Sequence, residues 1–413
     1  MPSGQRFLFL LGADPNKLSE ISALAKRTGV SVERLRYYHK ANVLPTGADL
    51  QAITNTSHVT PDALRLGMGL LDHRLLEAIQ SNVEAVLAAI QPATPSQKSN
   101  RQRVSLELET DFGSLYRGRC EDLLAEMQSE SVDLVFADPP FNLSKLYKSQ
   151  IDDNLREDLY LQWCERWIDE CCRVLKHGGS FFVWNLPKWN ARLSAILGQH
   201  LTFRHWIAVD IKYSLPLPGK LYPSHYSLLY FVKGARPAAF APDRLPMEIC
   251  PHCYGDLRDY GGYKDKMNPS GVNLTDVWFD IAPVRHAKYK KRKDANELSL
   301  KLMDRVIEMG SNPGDLVFDP FGGAGTTYVA AELKRRKWIG VELGPVSDII
   351  DRFKTIQTEA VYLDDLRQDL NALFPTDVKC ERLKRRLWTT ETEIARKSGV
   401  RDRHPVPGEL DLS

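Results

Sequence analysis

Hydrophobic positions divide the chain into an N-terminal part with helical spacing and a longer part in which apolar runs alternate with helical patterns. Strands are predicted in the longer part where a run is rich in β-branched or aromatic residues. These runs are LVF from residue 134, SFFVW from 180, HYSLLYFV from 225, DLVFD from 315 and KWIGVE from 337. Strands that alternate with helices predict a doubly wound, Rossmann-like α/β sheet.

Residues 18–40 carry two short helical patterns that meet at Gly29. Their apolar positions predict one small core, formed by Ile21, Leu24, Ala25, Val30, Val32, Leu35 and Tyr38. Together with the segment that follows, to about residue 70, the pattern resembles a helix-turn-helix of the Cro/C1 phage-repressor type. The resemblance implies that the second helix enters the major groove of DNA, where Arg34, Arg36 and Lys40 would contact it. A helical bundle that binds protein or caps the next domain is the alternative.

Domain limits follow from the changes in pattern. Apolar residues at helical spacing continue over residues 70–90 and are predicted to be core, with self-association as a second option. The polar stretch 91–103 lacks such spacing and predicts a linker. We therefore expect an all-α domain over residues 1–90, an α/β domain over 104–373 and a basic tail over 374–413.

Composition narrows the protein class. The 413 residues are 43% apolar and 26% charged, as expected of a globular protein with two or three domains. The net charge of +2 means that any anionic partner must be met by local patches. No apolar run approaches the roughly 20 residues that span a bilayer, and seven scattered cysteines favour a reducing cytoplasm. Cys250 and Cys253 form the one C-x-x-C pair, and without a second pair an ordinary turn is predicted there rather than a metal site, with zinc bound by these two cysteines as the alternative.

The stretch DLVFADPPFN, residues 133–142, places a carboxylate at the carboxyl end of a buried strand. Open α/β sheets bind their ligands at this end. Pro139 and Pro140 fix the backbone after Asp138, so that their carbonyl groups point in set directions. This arrangement, with Phe141 beside it, suits a planar group that donates two hydrogen bonds, such as the exocyclic amine of a nucleobase. An ordinary strand end with a proline-rich turn is the alternative.

Residues 315–344 run strand, glycine turn, helix, strand. Gly322, Gly323 and Gly325 would let the backbone approach a ligand, and Glu342 would accept hydrogen bonds from a ribose. The pattern predicts a nucleoside-cofactor site. A nicotinamide site is an alternative, but Thr327 occupies the last glycine position of G-x-G-x-x-G counted from Gly322. A glycine turn with a purely structural role is the other alternative.

Together these two motifs resemble those of S-adenosylmethionine-dependent DNA amino-methyltransferases of the β group, in which D-P-P-[YF] precedes F-x-G-x-G. The similarity extends over about residues 105–365. It implies S-adenosylmethionine as cofactor, double-stranded DNA as substrate and methyl transfer to N6 of a flipped adenine. Cytosine N4 is the alternative target, and a catalytically silent DNA-binding regulator is the alternative function. One departure is Arg119, which stands where many relatives have aspartate.

The resemblance also implies roles for individual residues. Asp138, Pro139, Pro140 and Phe141 would form the catalytic turn, with Phe141 stacked on the base. The predicted cofactor residues are Asp319, Phe321, Gly323, Gly325, Thr326, Glu342, Asn296, Glu297 and Ser299. Target recognition would lie in an inserted region at about residues 236–293, with DNA contacts from Lys264, Lys266, Lys288, Lys290, Lys291 and Arg292. A homodimer and a cognate restriction endonuclease are open options, and the protein is expected at the nucleoid.

Overall fold

The computed structural model describes residues 7–89, 103–143, 154–210, 218–219, 221, 224–255, 268–281 and 297–390. The chain divides into two compact units. The first comprises Met1–Arg101 with Leu155–Trp163, and the second comprises Gln102–Asn154 with Cys164–Ser413. No helix in the described ranges has the length and apolar character needed to cross a bilayer.

The N-terminal helices pack around one small core. They are α1 (Phe7–Leu10), α2 (Leu18–Thr28), α3 (Val32–Ala41), α4 (Gly47–Ser57), α5 (Pro61–Met68), α6 (His73–Ser81) and α7 (Val83–Ala89). The chain turns after α2 at Gly29, which has a φ of 71° and donates its N–H to the Ala25 carbonyl at 2.8 Å. Ser31 caps α3 by accepting the Arg34 N–H. The predicted helices, their turn and their shared core are confirmed.

The prediction that the apolar stripe over residues 70–90 is core is wrong for the residues that the structure describes. Neither α6 nor α7 has a buried residue. Leu71, Leu76, Val83 and Leu87 are 43%, 39%, 46% and 60% exposed. Helical spacing shows that one face of a helix is apolar, but it does not show that another element covers that face.

The second unit is built on a nine-stranded sheet with the order β1-β2-β11-β10-β3-β4-β6-β5-β9. Its strands are β1 (Ser105–Glu109), β2 (Gly113–Arg117), β3 (Val132–Ala137), β4 (Leu175–Asn185), β5 (Thr202–Asp210), β6 (His225–Val232), β9 (Val277–Trp278), β10 (Leu316–Asp319) and β11 (Lys337–Glu342). A separate two-stranded sheet joins β7 (Arg244–Leu245) and β8 (Val272–Asn273). The remaining helices are α8 (Cys120–Glu126), α9 (Glu157–Val174), α10 (Pro187–Leu197), α11 (Leu300–Gly310), α12 (Thr326–Leu333), α13 (Ser347–Lys354), α14 (Ile356–Arg367) and α15 (Thr376–Lys384).

The sheet is mixed. Strands β2, β11, β10, β3 and β4 are parallel neighbours, whereas β6 is antiparallel to both β4 and β5. All the strands predicted from the sequence are present, and two of them, β6 and β11, have the predicted limits. The sequence did not indicate β1, β2, β5 or β9.

Strands β3 and β10 carry the two motifs and lie side by side. They are parallel, with Val317 paired to Leu134 and Phe318 paired to Val135. Paired strands lie about 4.8 Å apart, and parallel strands end at the same edge of a sheet. The turn that begins at Asp138 and the turn that follows Asp319 are therefore adjacent, which confirms the expectation that the motifs meet at neighbouring strand ends.

Residues 374–390 were assigned to the basic tail, yet the structure shows them packed on the second unit. Phe374 and Trp388 join a hydrophobic cluster with Met247 of the predicted recognition region. The Arg382 side chain is 1% exposed and donates to the Trp388 carbonyl at 2.8 Å. The described start of the tail is thus a folded helix that helps to form a small lobe with β7 and β8.

Candidate active site

The turn after β3 is fixed through its last aromatic residue. Strand β3 is buried along Leu134–Ala137, and Asp138 is the first residue beyond it that is partly exposed. The Phe141 carbonyl accepts a hydrogen bond from the Trp189 indole N–H at 2.7 Å. The Phe141 ring is 5% exposed and its centroid lies 5.9 Å from that of Tyr226. Neighbouring protein groups, Tyr226 among them, cover most of the Phe141 ring in this structure. Stacking of Phe141 on a flipped base therefore stays a prediction.

Trp189 is itself held by the start of α10. Its neighbour Asn190 is fully buried and donates to the Ser227 carbonyl at 2.9 Å and to the Ser227 hydroxyl at 2.7 Å. The Ser227 hydroxyl donates in turn to the Asn185 carbonyl at 3.2 Å. Helix α10 is thus anchored to the ends of β4 and β6. Sequence reasoning missed Trp189, since a hydrogen bond to a backbone carbonyl leaves no pattern in the sequence.

The glycine turn after β10 makes a close cradle at the start of α12. Gly325 has a φ of 75°, and a Cβ there would lie 2.7 Å from Ile349 Cγ2. A Cβ on Gly322 would lie 2.8 Å from the Tyr328 hydroxyl oxygen. A side chain at either position would therefore have to displace a neighbouring side chain, and at Gly325 the positive φ would strain the backbone as well. The first turn of a helix offers backbone N–H groups without helical partners, which suit an anion such as the carboxylate of an amino acid.

Glu342 connects this cradle to the end of β11. Its Oε2 accepts the Gly323 N–H at 2.8 Å and its Oε1 accepts the Gly344 N–H at 2.7 Å. Each carboxylate oxygen can accept a second hydrogen bond, so a ribose could bind while the turn stays fixed. Gly118, which precedes Arg119, donates its N–H to the Glu342 carbonyl at 3.0 Å. Arg119 therefore follows directly on a residue whose backbone is bonded to Glu342. The Arg119 guanidinium itself pairs with Glu121 at 3.2 Å.

Asp319 ends β10 as a buried carboxyl that is 2% exposed. Burial raises its pKa to about 7, and the negative charge of Glu342 adds to the increase. The Phe321 N–H donates to Asp319 Oδ1 at 2.9 Å and works in the opposite direction. The Phe321 ring packs edge-on against Trp167, with centroids 5.2 Å apart. In the structure Asp319 and Phe321 thus fix the start of the glycine turn through their hydrogen bond and through the packing of the Phe321 ring on Trp167.

The other predicted cofactor residues fall into three groups. The Thr326 hydroxyl is buried and bonded within the protein, because it accepts from Arg352 at 2.8 Å and donates to the Leu298 carbonyl at 3.4 Å. Glu297 lies 3.6 Å from Arg352, and Ser299 occupies the N-cap position of α11. Asn296 lies outside the described residues. Arg352 was not predicted, because nothing in the sequence links α13 to the glycine turn.

The predicted DNA-binding residues are described only in the first unit. Arg36 and Lys40 are exposed on α3. Arg34 is 60% exposed and pairs with the buried Asp49 at 2.7 Å, so it already has one partner. The remaining predicted contacts, Lys264, Lys266, Lys288, Lys290, Lys291 and Arg292, lie outside the described residues.

The C-x-x-C turn is held by arginines. Arg385 donates to the His252 carbonyl at 2.9 Å, and Arg382 donates to the Tyr254 carbonyl. Within the described ranges, no three histidine, cysteine or acidic side chains come together as metal ligands would. Cys250 and Cys253 thus belong to a turn that packs against α15.

The sheet order and the two adjacent turns are those of a doubly wound α/β protein, a class that binds its ligands at the carboxyl ends of the strands. Comparison with known proteins narrows this class. The profile of a family described as DNA methylase matches residues 132–347. The chain belongs to this family and is a DNA methyltransferase that uses S-adenosylmethionine.

Two sequence relatives agree with that assignment, and one solved structure is similar to the chain. The chain is 45% identical over 374 residues to the type II methyltransferase M.BamHI of Bacillus amyloliquefaciens, a match that covers 90% of this chain and 88% of that protein. It is 33% identical to the DNA adenine methyltransferase YhdJ of Escherichia coli K12, over 54% of this chain and 76% of that protein. The solved cytosine-N4-specific PvuII DNA methyltransferase is 21% identical with a TM-score of 0.45, over 61% of this chain and 92% of that one.

Proposed function

We propose that the chain methylates an exocyclic amine of a base in duplex DNA at a specific sequence, and that Asp138 acts on that amine. The pairing of β3 with β10 carries this proposal, because it brings the Asp138 turn and the glycine turn to one edge of the sheet. The glycine cradle, Glu342 and the first turn of α12 would hold S-adenosylmethionine. When bound, this cofactor supplies a methyl group on a positively charged sulfur.

Asp138 and Pro139 would make the amine reactive. The lone pair of an exocyclic amine is delocalised into its ring, so the nitrogen is a weak nucleophile. Hydrogen bonds from its two N–H groups to the Asp138 carboxylate and the Pro139 carbonyl favour a pyramidal nitrogen with a localised lone pair. Asp138 would then accept the proton that the methylated amine releases. The rigid Pro139-Pro140 backbone keeps both acceptors in place, so most of the rate gain would come from positioning.

The base must leave the duplex to reach this turn. Flipping costs a few kcal/mol, which contacts to the extruded base must offset. We propose that Phe141 supplies part of this, since stacking on an aromatic ring contributes about 1–3 kcal/mol. The Trp189 hydrogen bond would keep Phe141 beside Asp138 while the base enters.

Adenine N6 is the first target to test and cytosine N4 is the second. Aspartate opens the catalytic motif more often in adenine enzymes of this group, and YhdJ is described as an adenine methyltransferase. Both amines offer the same two donors to Asp138 and Pro139, so the turn itself accepts either. Enzymatic digestion of the methylated DNA followed by mass spectrometry separates N6-methyladenine from N4-methylcytosine, and sequencing gives the flanking bases.

Transfer of labelled methyl groups to mixed-sequence DNA tests the enzyme assignment. The wild type should transfer label, whereas a silent regulator would transfer none. Asp138→Ala should lower the rate by roughly 10²- to 10⁴-fold while S-adenosylmethionine still binds. Asp169→Asn, at a half-exposed ion pair with His200, is the matched control and should be fully active. Undiminished turnover by Asp138→Ala would reject the role given to this carboxylate.

For the first unit we propose a helix-turn-helix in which α3 is the recognition helix. The tight turn at Gly29 and the exposed Arg36 and Lys40 support this. Replacing both residues with alanine should weaken DNA binding and flatten its salt dependence by a slope of about 0.9 per lost phosphate contact. Replacing Lys337 and Lys354 removes the same charge from the second unit and serves as control. Equal effects of the two pairs would favour a helical bundle with another role.

A cognate restriction endonuclease and a second copy of this chain are the proposed protein partners. M.BamHI is described as a type II methyltransferase, and an endonuclease partner predicts that methylated DNA resists cleavage at the shared sequence. The exposed Leu76, Val83 and Leu87 support self-association. Sedimentation velocity of the wild type and Leu87→Glu tests this, and a monomeric wild type would end the homodimer proposal.

A further inference from the structure

Arg352 is a buried cation that contacts the glycine turn from α13. It is 4% exposed, and its Nη1 donates to the Ala324 carbonyl at 2.9 Å and to the Thr326 hydroxyl at 2.8 Å. These two acceptors flank Gly325, the residue whose φ of 75° sets the start of α12. One guanidinium thus fixes both sides of the most constrained position in the cradle.

Two carboxylates hold this guanidinium in turn. Glu359 of α14 forms a two-pronged pair, with distances of 2.7 Å to Nε and 2.6 Å to Nη2. Glu297 lies 3.6 Å from Nη1 on the side of the chain that leads into α11. All three charged groups are less than 10% exposed. Burying charges costs free energy that their pairing offsets only in part, so such a cluster is weak evidence for a purely stabilising role.

The position of Arg352 links elements that are distant in sequence. Arg352 lies on α13, pairs with α14 and contacts both the glycine turn and Glu297. The glycine turn and the segment of Glu297 are the two segments predicted to surround the methionine end of the cofactor. The Thr326 hydroxyl accepts from Arg352, so an anionic ligand would be held by the backbone N–H groups of the first helical turn rather than by this side chain. The direction of these N–H groups depends on the orientation of the peptide unit at Ala324, whose carbonyl accepts the hydrogen bond from Arg352.

We infer that Arg352 is a positioning residue for S-adenosylmethionine, acting through the Ala324–Thr326 backbone and Glu297 rather than by touching the reacting atoms. The inference rests on the proposed assignment of the glycine turn to this cofactor. It predicts that loss of the guanidinium weakens cofactor binding and leaves the methyl-transfer step and DNA binding largely unchanged. A group that only stabilised the fold would not separate these quantities.

Titration calorimetry with S-adenosylmethionine on the full chain, together with steady-state kinetics, tests the inference. Arg352→Lys keeps the charge but loses the two-pronged pair and one backbone contact. Its Kd and KM for S-adenosylmethionine should rise about tenfold or more, the loss expected for a charge-assisted hydrogen bond. The value of kcat and the Kd for DNA should stay within about threefold of the wild type. Equal cofactor affinity in Arg352→Lys and the wild type would overturn the inference.

Arg336→Lys is the matched control. Arg336 is 3% exposed and donates to the Ser311 carbonyl at 2.7 Å, but it precedes β11, at the opposite end of that strand from Glu342. We expect both lysine variants to lose thermal stability and only Arg352→Lys to lose cofactor affinity. If the two variants lose affinity alike, the effect is general destabilisation and the inference fails.

Two further variants separate the possible failures. Arg352→Met with Glu359→Met removes the charge pair and should recover stability relative to Arg352→Met alone. It should not recover cofactor affinity, and recovery of both would overturn the positioning role. Gly325→Val tests the underlying assignment, because it fills the cradle directly. If Gly325→Val folds and binds S-adenosylmethionine normally, the proposed cofactor site is wrong whatever the Arg352 variants do.

Discussion

The hydrogen bond from Trp189 to Phe141 allows a sharp test of how the catalytic turn is held. Trp189→Phe keeps an aromatic ring on α10 but removes the N–H that the Phe141 carbonyl accepts at 2.7 Å. Trp189 is 2% exposed, so water cannot easily take the place of the indole. The variant therefore leaves a buried carbonyl without this donor and frees the end of the Asp138–Phe141 turn.

The size of the effect follows from that carbonyl. An unsatisfied buried acceptor costs about 1–3 kcal/mol. If the whole cost appears as loss of transition-state positioning, kcat falls by roughly 5- to 150-fold, since about 1.4 kcal/mol corresponds to a factor of ten. If the turn keeps its geometry in the bound state, the same cost appears as lower folding stability. The KM for S-adenosylmethionine should stay unchanged, because the hydrogen bond that the variant removes belongs to the Asp138 turn and not to the glycine turn.

Single-turnover methylation with saturating cofactor measures the chemical step, and thermal unfolding measures stability. Trp388→Phe is the matched control, because its buried indole N–H has no hydrogen-bond partner among the described residues. This control should be neutral or slightly stabilising and fully active. A Trp189→Phe enzyme with wild-type kcat and a lowered melting temperature would refute the positioning argument and leave Trp189 with a structural role.

Two further predictions concern the glycine turn and Asp319, which precedes it. Gly325→Ala should lose about 1–3 kcal/mol of unfolding free energy and bind S-adenosylmethionine less tightly, because alanine is strained at a φ of 75° and its Cβ meets Ile349. Ile349 is fully buried, so Ile349→Ala is itself destabilising; measured against that single variant by denaturant titration and calorimetry, Gly325→Ala should cost less, by the steric part only. Asp319 has a folded pKa raised to about 7, so the folded state keeps a proton that the unfolded chain has lost above about pH 4. The wild type should therefore lose stability relative to Asp319→Asn as the pH rises from about 4 to about 7, with no further change above that, and parallel pH profiles of the two proteins would contradict the assigned pKa.

Much of the catalytic unit could be predicted because its central strands carry runs of apolar residues. HYSLLYFV and KWIGVE match β6 and β11 to the residue, since strands inside a sheet that is covered on both faces are rich in adjacent apolar residues. The missed strands are of another kind. Strand β1 is mostly exposed and β5 carries Arg204 and His205 among its apolar residues, so neither forms a continuous run. Their place in the sheet depends on pairing, which a single strand's sequence does not encode.

The residues of the candidate site also fall into those that could be predicted from the sequence and those that could not. Asp138, Asp319 and the glycines were predicted because strand ends and tight turns demand particular residue types. The stripe over α6 and α7 was misjudged, because its spacing matches that of a buried helix. Trp189 and Arg352 were missed for another reason. Each bonds to a backbone carbonyl, which every residue has, across sequence separations of 48 and 28 positions.

Those two residues indicate how the adjacent turns keep separate geometries. The Asp138 turn is held from α10 through Phe141, and the glycine turn is held from α13 through Ala324. The strands β3 and β10 fix only where both turns begin, since backbone pairing between these two strands ends at Phe318 and Val135. Beyond that point each turn needs its own support. A base and a cofactor could therefore enter independently, and a substitution on α10 should change methyl transfer while one on α13 changes cofactor affinity.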